Sequence, residues 1–172
     1  MKILALVDGS DNSIKSLEHM VNLLNQIDPK IMTKTNENKS DHEVIILSVL
    51  VPFHITNIVE KNIQSANAVK GEKLKAYLKE INAEVEKEWI AKLSELKSKY
   101  QQEGIVVKTK LLEGSHSSNF VAYSIVKFAE DENIDLISVG KIGTGGDHSN
   151  KLLGSVARNI AEISTRPLLI VP

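Results

Sequence analysis

The feature that most constrains the fold is an alternation of short apolar runs with segments of helical periodicity. Apolar runs occur at residues 2–7, 43–52, 105–112, 134–139 and 168–171. Between them, apolar residues recur at steps of three and four, which is typical of amphipathic helices. Strands that alternate with helices favour a parallel sheet with helical crossovers. We therefore predict a single-domain, doubly wound α/β fold over residues 1–172, with a five-stranded parallel sheet and helices on both faces.

Composition excludes several classes of protein. The 172-residue chain has a formal net charge of −1, which argues against binding to nucleic acid through a basic surface. It contains no cysteine, so disulfides, thiolate metal sites and cysteine nucleophiles are excluded, and its five histidines lack metal-ligand spacing. No apolar run approaches the ~20 residues of a membrane-spanning helix, and residues 1–7 do not resemble a signal peptide. We expect a cytoplasmic protein with no nucleic-acid or membrane partner.

The longest helical pattern runs from Gly71 to Gln102. Its apolar stripe consists of Leu74, Leu78, Ile81, Val85, Trp89, Leu93, Leu96 and Tyr100. Because a continuous apolar stripe needs an apolar partner, we predict that this helix covers one face of the sheet. Residues 53–69, which precede it, have no clear pattern and are open to helical and extended interpretations.

Local patterns also predict how some elements begin and which strand is exposed. Ser10 or Asp11 is expected to cap the first helix, and Ser117 or Ser118 is expected to cap a later one. Residues 105–112 alternate polar and apolar side chains more clearly than the other strands do. This alternation predicts an edge strand.

A glycine-rich loop joins the fourth apolar run to the last helix. Four of the nine glycines in the chain fall within residues 140–146. Such a loop can bring bare N–H groups close to a polyphosphate, and the N-terminus of the following helix favours anions. In open α/β sheets ligands bind at the carboxyl ends of the strands, so Asp8, residues 49–52 and Gly140 are expected to share one crevice. The sequence therefore predicts a nucleotide site.

Several of these motifs together resemble the universal stress protein family, and the resemblance spans the whole chain. They are VDGS at 7–10, LSVLVP at 47–52, DLISVG at 135–140, the glycine loop, LGSV at 153–156 and RPLLIV at 166–171. The ATP-binding members of the family carry Gly, two residues, Gly, nine residues, and then Gly followed by Ser or Thr. This chain has two residues between Gly140 and Gly143 and ten before Gly154-Ser155. We expect the one extra residue within 145–150.

The resemblance implies an ATP site, with Mg²⁺ or Mn²⁺ carried by the phosphates. It implies that Asp8 holds the ribose hydroxyls, that backbone groups of Val49 contact the adenine, and that the loop lines the phosphate path. The full candidate set is Val7, Asp8, Val49, Val139, Gly140, Lys141, Gly143, Thr144, Gly154, Ser155 and Val156. The family often has His where this chain has Ser48. It also implies a homodimer that pairs through the last strand, here Leu168 to Val171.

No residue pattern indicates strong catalysis. The chain lacks a Gly-Lys-Ser/Thr phosphate motif and a Gly-x-Ser-x-Gly motif, and no residue stands out for positioning a hydrolytic water. We therefore predict a regulatory nucleotide-binding protein with at most slow ATP hydrolysis. Two alternatives are a dimeric interaction module that binds no nucleotide, which the extra loop residue favours, and a sensor of AMP or a cyclic nucleotide. Asp8, Gly9 and Ser10 also fit a simple turn and helix cap.

Overall fold

Strands and helices alternate along the chain in the computed structural model, which describes residues 1–27, 42–55, 68–101, 105–144 and 152–172. The strands are β1 (Lys2–Leu6), β2 (Glu43–Leu50), β3 (Val106–Glu113), β4 (Leu136–Gly140) and β5 (Leu168–Val171). The helices are α1 (Asp11–Ile27), α2 (Ala68–Gln101), α3 (Ser118–Asp131) and α4 (Ser155–Ile163). The structure of residues 56–67, within the segment without a clear pattern, lies outside the described residues.

The five strands form one parallel sheet in the order β3-β2-β1-β4-β5. From β1 the chain moves outward to β2 and β3, and then it returns to the other side of β1 for β4 and β5. The strand order therefore reverses between β1 and β4, where a ligand crevice is expected at the carboxyl ends. The predicted doubly wound fold is confirmed, and β3 lies at an edge of the sheet, as its alternation predicted.

Helices pack on both faces of the sheet. Alternate residues of β1 serve the two faces, with Ile3 and Ala5 in one cluster and Leu4 and Leu6 in the other. The first cluster also contains residues of α1 and α2, and the second contains residues of α3 and α4. Because β1 is covered on both sides, its sequence is continuously apolar rather than alternating.

Helix α2 covers the sheet with its C-terminal turns only. Leu93, Leu96 and Tyr100 are buried, whereas Leu74 near the other end of the stripe is 36% exposed. The four stripe residues between them are partly buried: Leu78, Ile81, Val85 and Trp89. A helix of 34 residues is about 51 Å long, whereas a strand of eight residues spans about 26 Å. The prediction that this helix covers the sheet is therefore confirmed for its C-terminal turns, whereas its N-terminal half extends past the strands.

The turn between β1 and α1 requires a glycine. Gly9 has φ of 84°, in the left-handed region that side chains with a Cβ disfavour. A Cβ atom there would also lie 3.3 Å from Cη2 of Trp89 and 3.2 Å from Nζ of Lys92. Helix α2 thus packs against the backbone of this turn, directly beside Asp8.

The predicted helix caps have different outcomes. The Ser10 hydroxyl accepts a hydrogen bond of 3.2 Å from the backbone N–H of Ser13, which confirms Ser10 as the cap of α1. Ser117 occupies the N-cap position of α3, but its side chain makes no capping hydrogen bond. The second prediction is therefore correct for the position and wrong for the interaction.

Candidate functional site

A cavity of about 360 Å³ lies at the carboxyl ends of β1, β2 and β4. Its volume falls within the range of roughly 300–1,000 Å³ that is typical of small-molecule sites. All eleven candidate residues line it: Val7, Asp8, Val49, Val139, Gly140, Lys141, Gly143, Thr144, Gly154, Ser155 and Val156. The tertiary structure thus brings the whole predicted set together at the point where the strand order reverses.

The carboxylate of Asp8 is held from two sides of the cavity. Oδ1 accepts hydrogen bonds from the N–H (3.1 Å) and the hydroxyl (2.6 Å) of Ser10, in the turn after β1. Oδ2 accepts a hydrogen bond of 2.9 Å from the N–H of Thr144, in the loop after β4. Asp8 therefore both turns the chain into α1, as the simpler interpretation proposed, and faces the cavity.

These contacts favour the ionised form of Asp8. Partial burial raises the pKa of its carboxyl, but the hydrogen bonds from Ser10 and Thr144 together hold the pKa below the ordinary value of 3.8. An ionised carboxylate offers about four acceptor positions, of which three are used here. Oδ2 accepts one of these three bonds and can therefore also accept from a hydroxyl group of a ligand.

Two glycines, Gly140 at the end of β4 and Gly143 in the loop that follows, permit close approach. A Cβ atom at Gly143 would overlap with Oδ2 of Asp8, and one at Gly140 would lie 3.2 Å from the carbonyl oxygen of Asn12 in α1. The Asn12 amide also donates a hydrogen bond of 3.3 Å to the Ile142 carbonyl. The start of α1 and the glycine loop are consequently packed backbone against backbone.

Lys141 links the segment before α4 to the end of β4 and to β5. Its N–H donates to the Val171 carbonyl (2.7 Å), and its carbonyl accepts from the N–H of Gly154 (2.8 Å). The N–H of Gly154 is therefore already used, and its role in the cavity is to close the loop. Ser155 and Val156 begin α4, where the first N–H groups have no acceptor within the helix and can face an anion. The expected extra residue within 145–150 lies outside the described residues.

The backbone of Val49 faces the cavity because β1 is shorter than β2. Val7 donates to the Leu47 carbonyl, so the polar groups of Leu47 point toward β1. The Leu50 carbonyl instead accepts from Gly114, on the β3 side. Polar groups alternate sides along a strand, so those of Val49 point toward β1, whose pairing with β2 ends at Leu47. The backbone N–H and carbonyl of Val49 are therefore positioned to meet the edge of a planar base.

Much of the apolar wall of the cavity was not predictable from the sequence. Val51 lines the cavity, as expected for residues 49–52, and the lining residues that were not predicted are Leu6, Ser13, Leu47, Val121, Ile125, Ile142 and Ala157. Val121 and Ile125 belong to the buried stripe of α3, and their spacing indicates only that one face of that helix is covered. No local signal separates a residue that faces a neighbouring helix from one that faces a cavity.

Two negative findings apply to the described part of the chain. Among those residues, no group of three or more His, Cys, Asp or Glu side chains is arranged to hold a metal ion. None of the helices there combines the length and the apolar character needed to cross a membrane.

Comparison with known proteins identifies the family. The model of the universal stress protein family matches residues 1–172. The chain is 28% identical to the universal stress protein YxiE of Bacillus subtilis (strain 168), over 99% of this chain and 97% of that protein. Its structure resembles that of the hypothetical protein MJ0577, with a TM-score of 0.67 and 27% identity over 99% of this chain and 94% of the other.

Two further solved structures share the fold and contain nucleotides. The universal stress protein from Archaeoglobus fulgidus in complex with dAMP has a TM-score of 0.54 and 18% identity, over 100% of this chain and 98% of the other. A universal stress protein in complex with cAMP has a TM-score of 0.55 and 19% identity, over 99% and 95%. The match of the family model over all 172 residues, on a sheet with this strand order, shows that the chain belongs to the universal stress protein family.

Proposed function

We propose that this protein binds ATP in the cavity at the carboxyl ends of β1, β2 and β4. One observation carries the proposal: all eleven residues expected to contact the nucleotide line a single cavity of suitable volume. The residues meet there from three strand ends and the start of α4.

The chemistry of the cavity fits the parts of ATP in order. The apolar end at Val49 suits adenine, which is flat and offers donors and acceptors at its edge to the strand backbone. The Asp8 carboxylate suits the ribose hydroxyls, because an ionised carboxylate accepts hydrogen bonds. The loop from Gly140 to Thr144 and the N-terminus of α4 suit the phosphates, with the Lys141 side chain as an added positive charge.

A divalent cation would be held mainly by the phosphates. Mg²⁺ commonly retains several waters and binds through substrate phosphates rather than through an all-protein cage. We propose Mg²⁺ or Mn²⁺ in this role. The cation would neutralise phosphate charge beside Thr144 and Ser155. The hydroxyl oxygens of these two residues could serve as additional ligands of the cation.

A second candidate function is a sensor of AMP or a cyclic nucleotide. It is favoured by the relatives of the same fold that contain dAMP and cAMP. Both candidates place the adenine at Val49 and the ribose at Asp8, and they differ in the phosphate, which is a single group in AMP and is closed onto a ribose oxygen in a cyclic nucleotide. Adenine-nucleotide binding is therefore the common element of the proposal.

We further propose that the protein acts by binding and switching rather than by rapid catalysis, in the cytoplasm and as a homodimer. ATP hydrolysis needs a positioned water and stabilisation of the transferring phosphoryl group, and we assign no residue to the water.

Strand β5 is an edge of the sheet, and its residues Leu168 to Ile170 are only partly covered. Pairing with the β5 strand of a second copy would cover them.

Calorimetric titration with ATP and Mg²⁺ tests the central proposal. Before the titration, a separate sample of the protein is denatured. The released small molecules are examined by chromatography for nucleotide that co-purified. Asp8→Asn should weaken binding about 10- to 100-fold, as expected for a lost charge-assisted hydrogen bond. Asp11→Asn is the matched control. It removes the same charge from a position three residues further along the chain, where the side chain is exposed and does not line the cavity.

The same titration separates the alternatives. Tighter binding of ATP than of AMP or cAMP supports the first candidate, and the reverse order supports the sensor. If the parent neither releases nucleotide nor binds any of the three, the proposal is wrong and the interaction module becomes the leading hypothesis.

A further inference from the structure

Gly114, the first residue after β3, lies behind the wall of the cavity. Its N–H donates a hydrogen bond of 2.8 Å to the Leu50 carbonyl, which holds it beside the end of β2. A Cβ atom at this position would overlap with Cγ1 of Val49 and lie 3.5 Å from Cγ2 of Val121. Val49 and Val121 both line the cavity. Gly114 is therefore in a position to influence the cavity without contacting a ligand.

The Val49 side chain has little freedom to avoid a larger residue at 114. Valine is branched at Cβ, and this restricts its χ1 angle. In the native chain, Cγ1 of Val49 occupies the space that a side chain at 114 would need. A Cβ at 114 would also lie 3.7 Å from the Leu50 carbonyl oxygen, so movement of residue 114 toward that strand is restricted. Val49 lines the cavity, so the cavity is open space into which its displaced branch can turn.

We propose that Gly114 sets the width of the apolar end of the cavity and, through Val49, the size of the base that a nucleotide bound there can have. This inference rests on the proposed function, because it assigns the apolar end to the base. The absence of a side chain at 114 lets the Val49 side chain pack against Gly114, away from the cavity, and leaves room for the two rings of a purine. An alanine at 114 would push Val49 forward and leave room for a single pyrimidine ring. Gly114 is thus a positioning residue for base selectivity.

Titration of four proteins with ATP and with CTP, each with Mg²⁺, tests this role. The two nucleotides share ribose and triphosphate, so their affinity ratio reports the base alone. The proteins are the parent, Gly114→Ala, Val49→Ala and the double variant. Gly114→Ala should lose about tenfold or more of its ATP affinity, which is the effect of one misplaced carbon in an apolar pocket, while CTP affinity changes much less. In the double variant, ATP affinity should return to that of Val49→Ala alone, because the overlapping atom is gone.

Other outcomes overturn the inference in distinguishable ways. An equal loss for both nucleotides that Val49→Ala does not restore would mean that Gly114 acts on the loop or the fold. An unchanged ATP/CTP ratio in a parent and a variant that both bind ATP overturns this inference and leaves the proposed function intact. A parent that binds neither nucleotide overturns both. If Gly114→Ala does not fold, Val49→Ile replaces it, since a larger side chain at this lining position should narrow the apolar end of the cavity, and the same fall in the ATP/CTP ratio is expected.

Discussion

The carboxylate of Asp8 and the backbone N–H of Thr144 form a hydrogen bond of 2.9 Å across 136 positions of the sequence. The bond joins the turn after β1 to the loop after β4, on the two sides of the point where the strand order reverses. It aligns the carboxylate with the loop that we assign to the phosphates. Substitutions around this pair should therefore separate effects on binding from effects on stability.

The contribution of Asp8 to stability should depend on pH. Its pKa is lowered in the folded protein, so the ionised form is favoured by folding. This stabilisation is fully present above the unfolded pKa and is lost as pH falls through the lower folded pKa. Thermal unfolding of the parent and of Asp8→Asn should show a constant difference in Tm above about pH 5 and a shrinking difference below about pH 4. A difference that grows on acidification would contradict the assignment.

Gly143→Ala should weaken ATP binding while leaving most of the stability intact. Its Cβ would overlap with Oδ2 of Asp8 and move the carboxylate from its position. We expect about a 10- to 100-fold loss of affinity by calorimetry, comparable to the loss of a hydrogen bond to a charged group. Because the effect passes through Asp8, combining Gly143→Ala with Asp8→Asn should add little to either single loss. Fully additive losses would show that Gly143 acts independently of Asp8.

Ser10→Ala should destabilise the protein by about 1 kcal/mol, the typical value for a lost N-cap. The hydroxyl accepts from the Ser13 N–H and donates to Asp8 Oδ1, so both interactions disappear together. Ser117→Ala is the matched control, since Ser117 has the same position in α3 but makes no side-chain capping bond. Chemical denaturation should show a clear loss for the first variant and a change within about 0.5 kcal/mol for the second. Equal losses would argue against the cap at Ser10.

Ile170→Pro should convert the proposed homodimer to a monomer. The Pro167 carbonyl accepts a bond from Ile137 in β4, and the Val171 carbonyl accepts one from Lys141 directly after β4, so the alternating pattern directs the N–H of Ile170 toward the open edge of β5. Proline removes that N–H without removing a bond to β4. Ile170→Ala is the control, because it loses the side chain and keeps the N–H. Light scattering after gel filtration should show twice the chain mass for the parent and the control and a single chain for the proline variant. A parent with the mass of one chain refutes the proposed dimer, and a proline variant that remains dimeric refutes pairing through β5.

Much of the site was predictable because its chemistry is encoded in short segments. Asp8 directly follows an apolar run, and Gly140 and Gly143 follow another, so each was recognisable from neighbours in the sequence. The general rule that parallel strands present their carboxyl ends at one edge then brought these segments together. Val121, Ile125 and Gly114 were not recognised as part of the site. Their local patterns indicate a buried helix face and a turn, and these patterns are the same whether a cavity lies beyond them or not.

The sequence by itself determined the order and type of the elements, the parallel sheet and the polar and glycine residues at the strand ends. These properties depend on the spacing of side chains along the chain, which is set within each element. The tertiary structure alone decided that only the last turns of α2 are buried, that Val121 faces a cavity and that Gly114 lies against Val49. These properties depend on how far the sheet extends and on which atoms of distant segments meet. Because periodicity records that a face is covered but not by what, they cannot be obtained from spacing.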